Sequence, residues 1–162
     1  VGDSDDGGLS DAMSFEPRDP DFRNRVRSSF QRQKVMETLG ITIVDVAPGH
    51  VTLSMPRSES LTQQHGFMHA GIIATALDSA CGYPSFSLMP ADAAVLTVEY
   101  KINLVAPAAG DSFLFRADVV KPGRTLTVSD GRAFAVRDGK EALIATMTGT
   151  LMALFDRTGV RH

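Results

Sequence analysis

Residues 71–82 form an apolar run rich in small side chains, and a carboxylate, Asp78, sits in its middle. No Lys or Arg lies between His69 and Gly82 to pair with it. Length and Ala content predict a buried helix here rather than a strand. The rest of the chain must therefore fold around this helix. Burying an ionised carboxylate costs several kcal/mol unless it is compensated. An acid kept at such a position points to a chemical task, most simply polarising water or moving a proton. The alternative is an acid satisfied by a hydroxyl or by a partner arginine.

Beyond Pro84 and Pro90 the pattern changes to a period of two. Leu96, Val98, Tyr100, Ile102 and Leu104 alternate with Val95, Thr97, Glu99, Lys101 and Asn103. Further strands are expected at roughly 112–120, 124–137 and 141–154, with Asp138-Gly139 as a hairpin turn. Upstream, Phe22, Val26, Phe30, Met36 and Leu39 keep near-helical spacing, which predicts one amphipathic helix capped by Asp21 and ended by Gly40. Two short strands, 41–46 and 51–55, flank the turn Pro48-Gly49, and residues 57–68 read as a polar loop. Residues 1–20, rich in Asp, Gly and Ser, read as a flexible arm before a single domain over 21–162. An antiparallel sheet of this kind must cover its apolar face, and the central helix is the natural cover. The fold class is therefore α+β.

Bulk properties exclude several function classes. A net charge of −3 gives no pull toward nucleic acid or anionic membrane, and no apolar run is long enough to span a bilayer. The single Cys81 rules out an intrachain disulfide framework and fits a reducing, cytoplasmic setting. In an Ala-rich helix it reads as a packing residue, not a nucleophile. Arg23, Arg25, Arg27, Arg32 and Lys34 make the first helix basic. That face is either solvated or a docking surface for phosphates or an acidic partner.

Residues 63–71, Gln-Gln-His-Gly-Phe-Met-His-Ala-Gly, followed by Asp78, resemble the signature of hotdog-fold acyl-CoA thioesterases of the phenylacetic-acid-degradation type. The similarity continues through residues 97–103, Pro107 and 123–125, and covers about residues 35–154. The resemblance implies a hotdog fold, an antiparallel sheet wrapped around the central helix. It implies that Asp78 acts on the thioester as general base for water or as nucleophile. Gln63 would place substrate or water, the Ala70 N–H would point at the thioester oxygen, and His69 and Thr97 would stand near the site. Phe67, Met68 and Ile72 would line an acyl slot suited to a medium-chain or aryl group, and Gly71 would also bind substrate. Gly123 and Arg124 would approach the coenzyme A moiety. The family builds its site across a subunit interface, so a homodimer or homotetramer is expected, with acyl-CoA as substrate and no metal or other cofactor.

Elementary chemistry agrees with these roles. Thioester hydrolysis needs an activated water, an oxyanion donor and a slot for the acyl chain. A free N–H at a helix start is such a donor. Two departures stand out. Ala70 replaces the usual Gly, and Ala takes a positive φ only at a cost. Simple alternation also puts Thr97 on the face opposite Leu96, Val98 and Tyr100. Two rivals are weighed. A hydratase on the same fold would carry a catalytic His on the central helix, and none follows His69 there. A non-catalytic acyl-CoA binder or sensor would not depend on Asp78.

Overall fold

The computed structural model describes residues 15–155, and its longest helix is the apolar run around Asp78. This helix, α3, spans Ala70–Leu88. It follows α1 (Phe22–Arg32), α2 (Lys34–Leu39), β1 (Thr42–Ala47), β2 (His50–Pro56) and a single 3-10 turn at Glu59–Leu61. After α3 come β3 (Ala94–Leu104), β4 (Ser112–Lys121), β5 (Leu126–Arg137) and β6 (Lys140–Leu154). The six strands form one antiparallel sheet in the order β1-β2-β4-β5-β6-β3. The sheet wraps α3, which packs across β2 to β6. This is the α+β hotdog architecture expected from the sequence.

Small residues set the helix-to-sheet distance. A Cβ on Gly131 would meet Cys81 Sγ at 2.9 Å and Leu77 Cδ2 at 3.1 Å. A Cβ on Gly149 would meet Cys81 Cβ at 3.3 Å. The sheet thus closes on α3 at two glycines, with Cys81 filling the space between. Around this contact the core is aromatic and sulfur-rich: Phe86, Phe113, Phe115, Met55 and Met147 are all fully buried.

Three expectations need correction. The first helix is not continuous. It breaks at Gln33, whose φ of −75° and ψ of 99° are extended, and resumes as α2 until Gly40 at φ 67°. The apolar spacing holds for Phe22, Val26 and Phe30 but slips before Met36, and one straight helix cannot bury both sets. Asp21 makes no side-chain cap; its carboxylate accepts instead from Asn24 Nδ2 at 2.6 Å. The central helix does not end with the apolar run of residues 71–82 but continues through Pro84 to Leu88. An interior Pro costs about 3 kcal/mol. Here the last turn is held from outside. Arg25 Nη2 donates to the Phe86 and Met89 carbonyls at 3.0 and 2.6 Å, Nη1 donates to the Pro90 carbonyl, and the guanidinium stacks 4.3 Å from the Phe86 ring centroid.

Arg25 also fixes the start of the described chain. Its Nε lies 3.1 Å from Asp19 Oδ2, close as an ion pair but off the line of a hydrogen bond. Burial pulls the guanidinium below its ordinary pKa, while Asp19 and Asp92 oppose that shift. Arg25 is therefore a helix clamp rather than a solvated or docking cation. Arg23 likewise donates to the Val46 carbonyl and sits over the Phe22 ring. Of the N-terminal segment read as an arm, residues 1–14 lie outside the described residues. Residues 15–20 are docked, with Asp19 buried and the Phe15 ring against Gly49.

Candidate functional site

The first turn of α3 leaves one backbone donor without an acceptor. His69 is the N-cap, and its Nδ1 accepts from the Gly71 N–H at 2.9 Å. The Ile72 and Ile73 amides turn back to the His69 carbonyl at 3.0 and 3.3 Å. Among the described residues nothing accepts from the Ala70 N–H, which is exposed at the positive end of the helix dipole. Among the described residues the only non-glycine at positive φ is Asp138, so Ala70 starts α3 in ordinary backbone geometry. Replacing Gly by Ala therefore costs the donor nothing here. His69 emerges as the residue that orients this turn.

The preceding loop is tightly closed. Gln63 N–H donates to the Phe67 carbonyl at 2.8 Å, and Gly66 N–H donates to the Gln63 carbonyl at 2.9 Å. The Gln63 side-chain carbonyl accepts from the His65 N–H. Among the described residues its amide nitrogen makes no hydrogen bond. Phe67 is half-buried beside it, whereas Met68 is part of the core and offers no open wall within the protomer. His65 is an exposed loop residue.

Asp78 lies more than two turns further along α3 than Ala70, about 12 Å along the axis at ~1.5 Å per residue. Thr97 Oγ1 donates to Asp78 Oδ1 at 2.7 Å. Among the described residues Asp78 has no cationic partner. Its neighbours Gln33, Ser79, Tyr83, Val95, Leu96 and Leu151 join Asp78 and Thr97 around a recess of about 200 Å³. A recess of that size holds several waters.

Thr97 reaches Asp78 because β3 carries a bulge. Thr97 pairs with Leu151 and Glu99 with Thr150, so Val98 is the extra residue. Directly opposed residues share a face. Thr97 therefore faces inward with the buried Leu151, and after the bulge Tyr100 shares the inward face of Gly149. The expectation that Thr97 lies opposite a continuous Leu96, Val98 and Tyr100 face is thus corrected. The bulge splits that face, and all three remain exposed on the edge strand of the sheet.

Beside the carboxylate, the sequence reading missed a polar relay. Ser79 Oγ donates to Gln33 Oε1 at 3.2 Å, and Gln33 Nε2 donates to Tyr83 Oη at 2.9 Å. Burial raises the Tyr83 pKa, while its hydrogen bonds with Ser29 and Gln33 oppose that. The one usable signal was the phase slip between Phe30 and Met36, which marks Gln33 as the break. Cys81 behaves as packing. Burial first, then Asp78 and Asp130, push its thiol up to about 12, far from a reactive thiolate.

Gly123 and Arg124 sit apart, in the β4–β5 connection. A Cβ on Gly123 would meet the Leu126 carbonyl at 2.0 Å, so only glycine closes this turn. Arg124 is exposed without an ion-pair partner among the described residues. It shares a recess of about 150 Å³ with Arg18, Glu16 and Phe15 near the end of α3. Among the described residues no group of three or more His, Cys, Asp or Glu is placed to hold a metal. No helix among them is long and apolar enough to cross a membrane.

Within one protomer, then, the carboxylate and the free helix-start donor cannot reach a single carbonyl. Similarity to known proteins bears on what such a split arrangement is for. The thioesterase superfamily pattern matches residues 65–142, which include His69, Ala70, Asp78 and Thr97. A crystal structure of a thioesterase family protein from Silicibacter pomeroyi is 62% identical, covering 83% of this chain and 98% of its own, with a TM-score of 0.82. Acyl-coenzyme A thioesterase 13 of Homo sapiens is 30% identical over 65% of this chain and 76% of its own length. The Escherichia coli PaaI protein from the phenylacetic acid degradation operon shares the fold at 20% identity, with a TM-score of 0.73 over 82% of this chain and 93% of its own.

Proposed function

We propose that this chain, which belongs to the thioesterase superfamily, hydrolyses medium-chain or aryl(acetyl) coenzyme A thioesters at a site made by two copies of itself. The family makes it a hotdog thioester hydrolase. One observation carries the finer reading: Asp78, unpaired by any cation among the described residues, is held by Thr97 Oγ1 at 2.7 Å at a recess that admits water.

Thr97 occupies Oδ1 and leaves Oδ2 for a water proton. Asp78 takes that proton as general base, and the water oxygen adds to the thioester carbonyl carbon. The carbonyl electron pair moves onto oxygen, where the Ala70 N–H of the partner subunit stabilises it. When the intermediate collapses, the C–S bond breaks. Coenzyme A leaves as thiolate and takes the proton from Asp78, and the free acid departs. His69 holds the donor turn. Gln63 offers its amide nitrogen to substrate, while Gly71 and Phe67 flank the thioester with Met68 behind them.

The need for two copies follows from the 12 Å gap between Ala70 and Asp78, an estimate of about that size from helix rise. Edge strand β3 supports it, because Leu96, Val98, Tyr100 and Leu104 are all exposed there. A homodimer, alone or paired into a tetramer, would cover them. Arg124, exposed on the turn that Gly123 closes, suits the phosphates of coenzyme A. A buried free thiol at Cys81 suits a reducing, cytoplasmic setting.

Free-thiol release from short-chain, medium-chain, long-chain and arylacetyl-CoA esters tests the reading. Asp78→Asn should lose about 10²- to 10⁴-fold in kcat with fold and assembly intact. Equal turnover in both proteins would remove Asp78 from the chemistry. No turnover in either would leave an acyl-CoA binder.

A further inference from the structure

A cavity away from the helix start shares Gln33 with the carboxylate recess. It has a volume of about 500 Å³ and lies between the α1–α2 kink and β1. Its lining is mixed: Phe30, Met36 and Ile41 from the buried core and half-buried Ile43 give it an apolar floor, while Arg27, Lys34 and Glu37 add charge. Gln33 lines both this cavity and the Asp78 recess. A second contact closes the same wall, for Phe30 on the cavity side packs at a tilt of 59° against Tyr83 on the recess side, with ring centroids 5.6 Å apart.

We infer that Gln33 is a specificity-determining residue, the partition between the catalytic recess and a cavity that takes the distal part of the acyl chain. The inference rests on the thioesterase reading of Asp78. The helix break at Gln33 puts this amide at the wall, since its extended ψ of 99° turns it out of the α1 helical path. Its polar ends are both engaged, by Ser79 and Tyr83, so the wall has a defined position. The recess alone, at about 200 Å³, is smaller than the ~300–1,000 Å³ typical of ligand pockets, whereas the cavity falls within that range. A straight aliphatic tail fits its apolar floor and gains from each methylene removed from water.

Two substitutions act on the cavity in opposite ways. Ile43→Trp on β1 fills it, and Gln33→Ala removes the partition. The readout is calorimetric binding of acetyl-CoA, octanoyl-CoA and dodecanoyl-CoA to both variants in the Asp78→Asn background, where no turnover is needed. Ile43→Trp should weaken octanoyl-CoA at least about tenfold, the worth of roughly two buried methylenes, and leave acetyl-CoA within about twofold. Gln33→Ala should move the preference toward chains longer than octanoyl. Thermal melts identify a variant that has lost its fold, and Thr42→Trp, on the exposed rim of the same cavity, then replaces Ile43→Trp. Equal weakening for both esters, or an unchanged chain-length profile in both variants, would overturn the inference. Because binding is read without hydrolysis, a failure of Asp78 catalysis shows separately in the thiol-release assay.

Discussion

The two ends of α3 treat the same backbone groups in opposite ways. At its start the Ala70 N–H is exposed and unclaimed, and only a histidine side chain organises the turn. At its end the carbonyls of Phe86 and Met89 are claimed by Arg25, a residue from another helix whose side chain is 12% exposed. Ser85 and Ser87 are fully buried there and still bonded, to Ser129 at 2.8 Å and to the Pro84 carbonyl at 2.6 Å. An unsatisfied helix terminus costs free energy. The molecule meets its needs at the end that anchors the sheet and leaves a donor open at the other. The proposed chemistry draws on the donor left open.

That contrast can be broken from either side. The largest effect on stability should come from the anchored end. Arg25→Met leaves Asp19 buried without its charge partner and releases the last turn of α3, and should cost about 3 kcal/mol in urea unfolding. A loss below ~0.5 kcal/mol would mean that Pro84 is tolerated without the clamp. The open end should respond more gently. His69→Ala removes the N-cap and should cost about 1 kcal/mol of stability, while lowering kcat more than it raises KM because the donor turn loosens. Unchanged kcat would separate His69 from the donor.

The smallest effect is expected midway along the helix. Cys81→Ala should leave turnover within about twofold, since a thiol held near 12 supplies no nucleophile at neutral pH. Its folded pKa is raised above the ordinary value of 9.0. The burial-linked stability is therefore complete below that value and is lost as pH rises from there through about 12. Alkaline unfolding over this window should be shallower in Cys81→Ala than in the wild type. Identical curves would refute the linkage.

Much of the fold was legible from pattern. An apolar, Ala-rich run with no strand-like alternation had to be a buried helix, and the period of two after Pro90 had to be sheet. Asp138-Gly139 forms its turn with φ values of 50° and 73°, as that dipeptide favours. Asp78 stood out as a lone acid in an apolar run, although the structure leaves it half-buried with a hydroxyl partner, Thr97, rather than sealed in the core. Thr97 did not, because strict alternation takes no account of a bulge, and the extra residue at Val98 shows only in the register of β3 against β6. Gln33 was harder still. One amide in a basic, amphipathic segment carries no pattern, and its meaning arises from Ser79 and Tyr83, both more than forty residues away in the chain.

The sequence by itself determined which segment had to be central and which carboxylate was out of place there, since periodicity and burial cost are local properties. It also carried the helix start, because His69, Ala70 and Gly71 are neighbours in the chain. Only the tertiary structure decided what Asp78 touches and that Arg25 carries α3 past Pro84. Those are relations between distant segments, set by sheet register and helix packing rather than by the residues nearest each group.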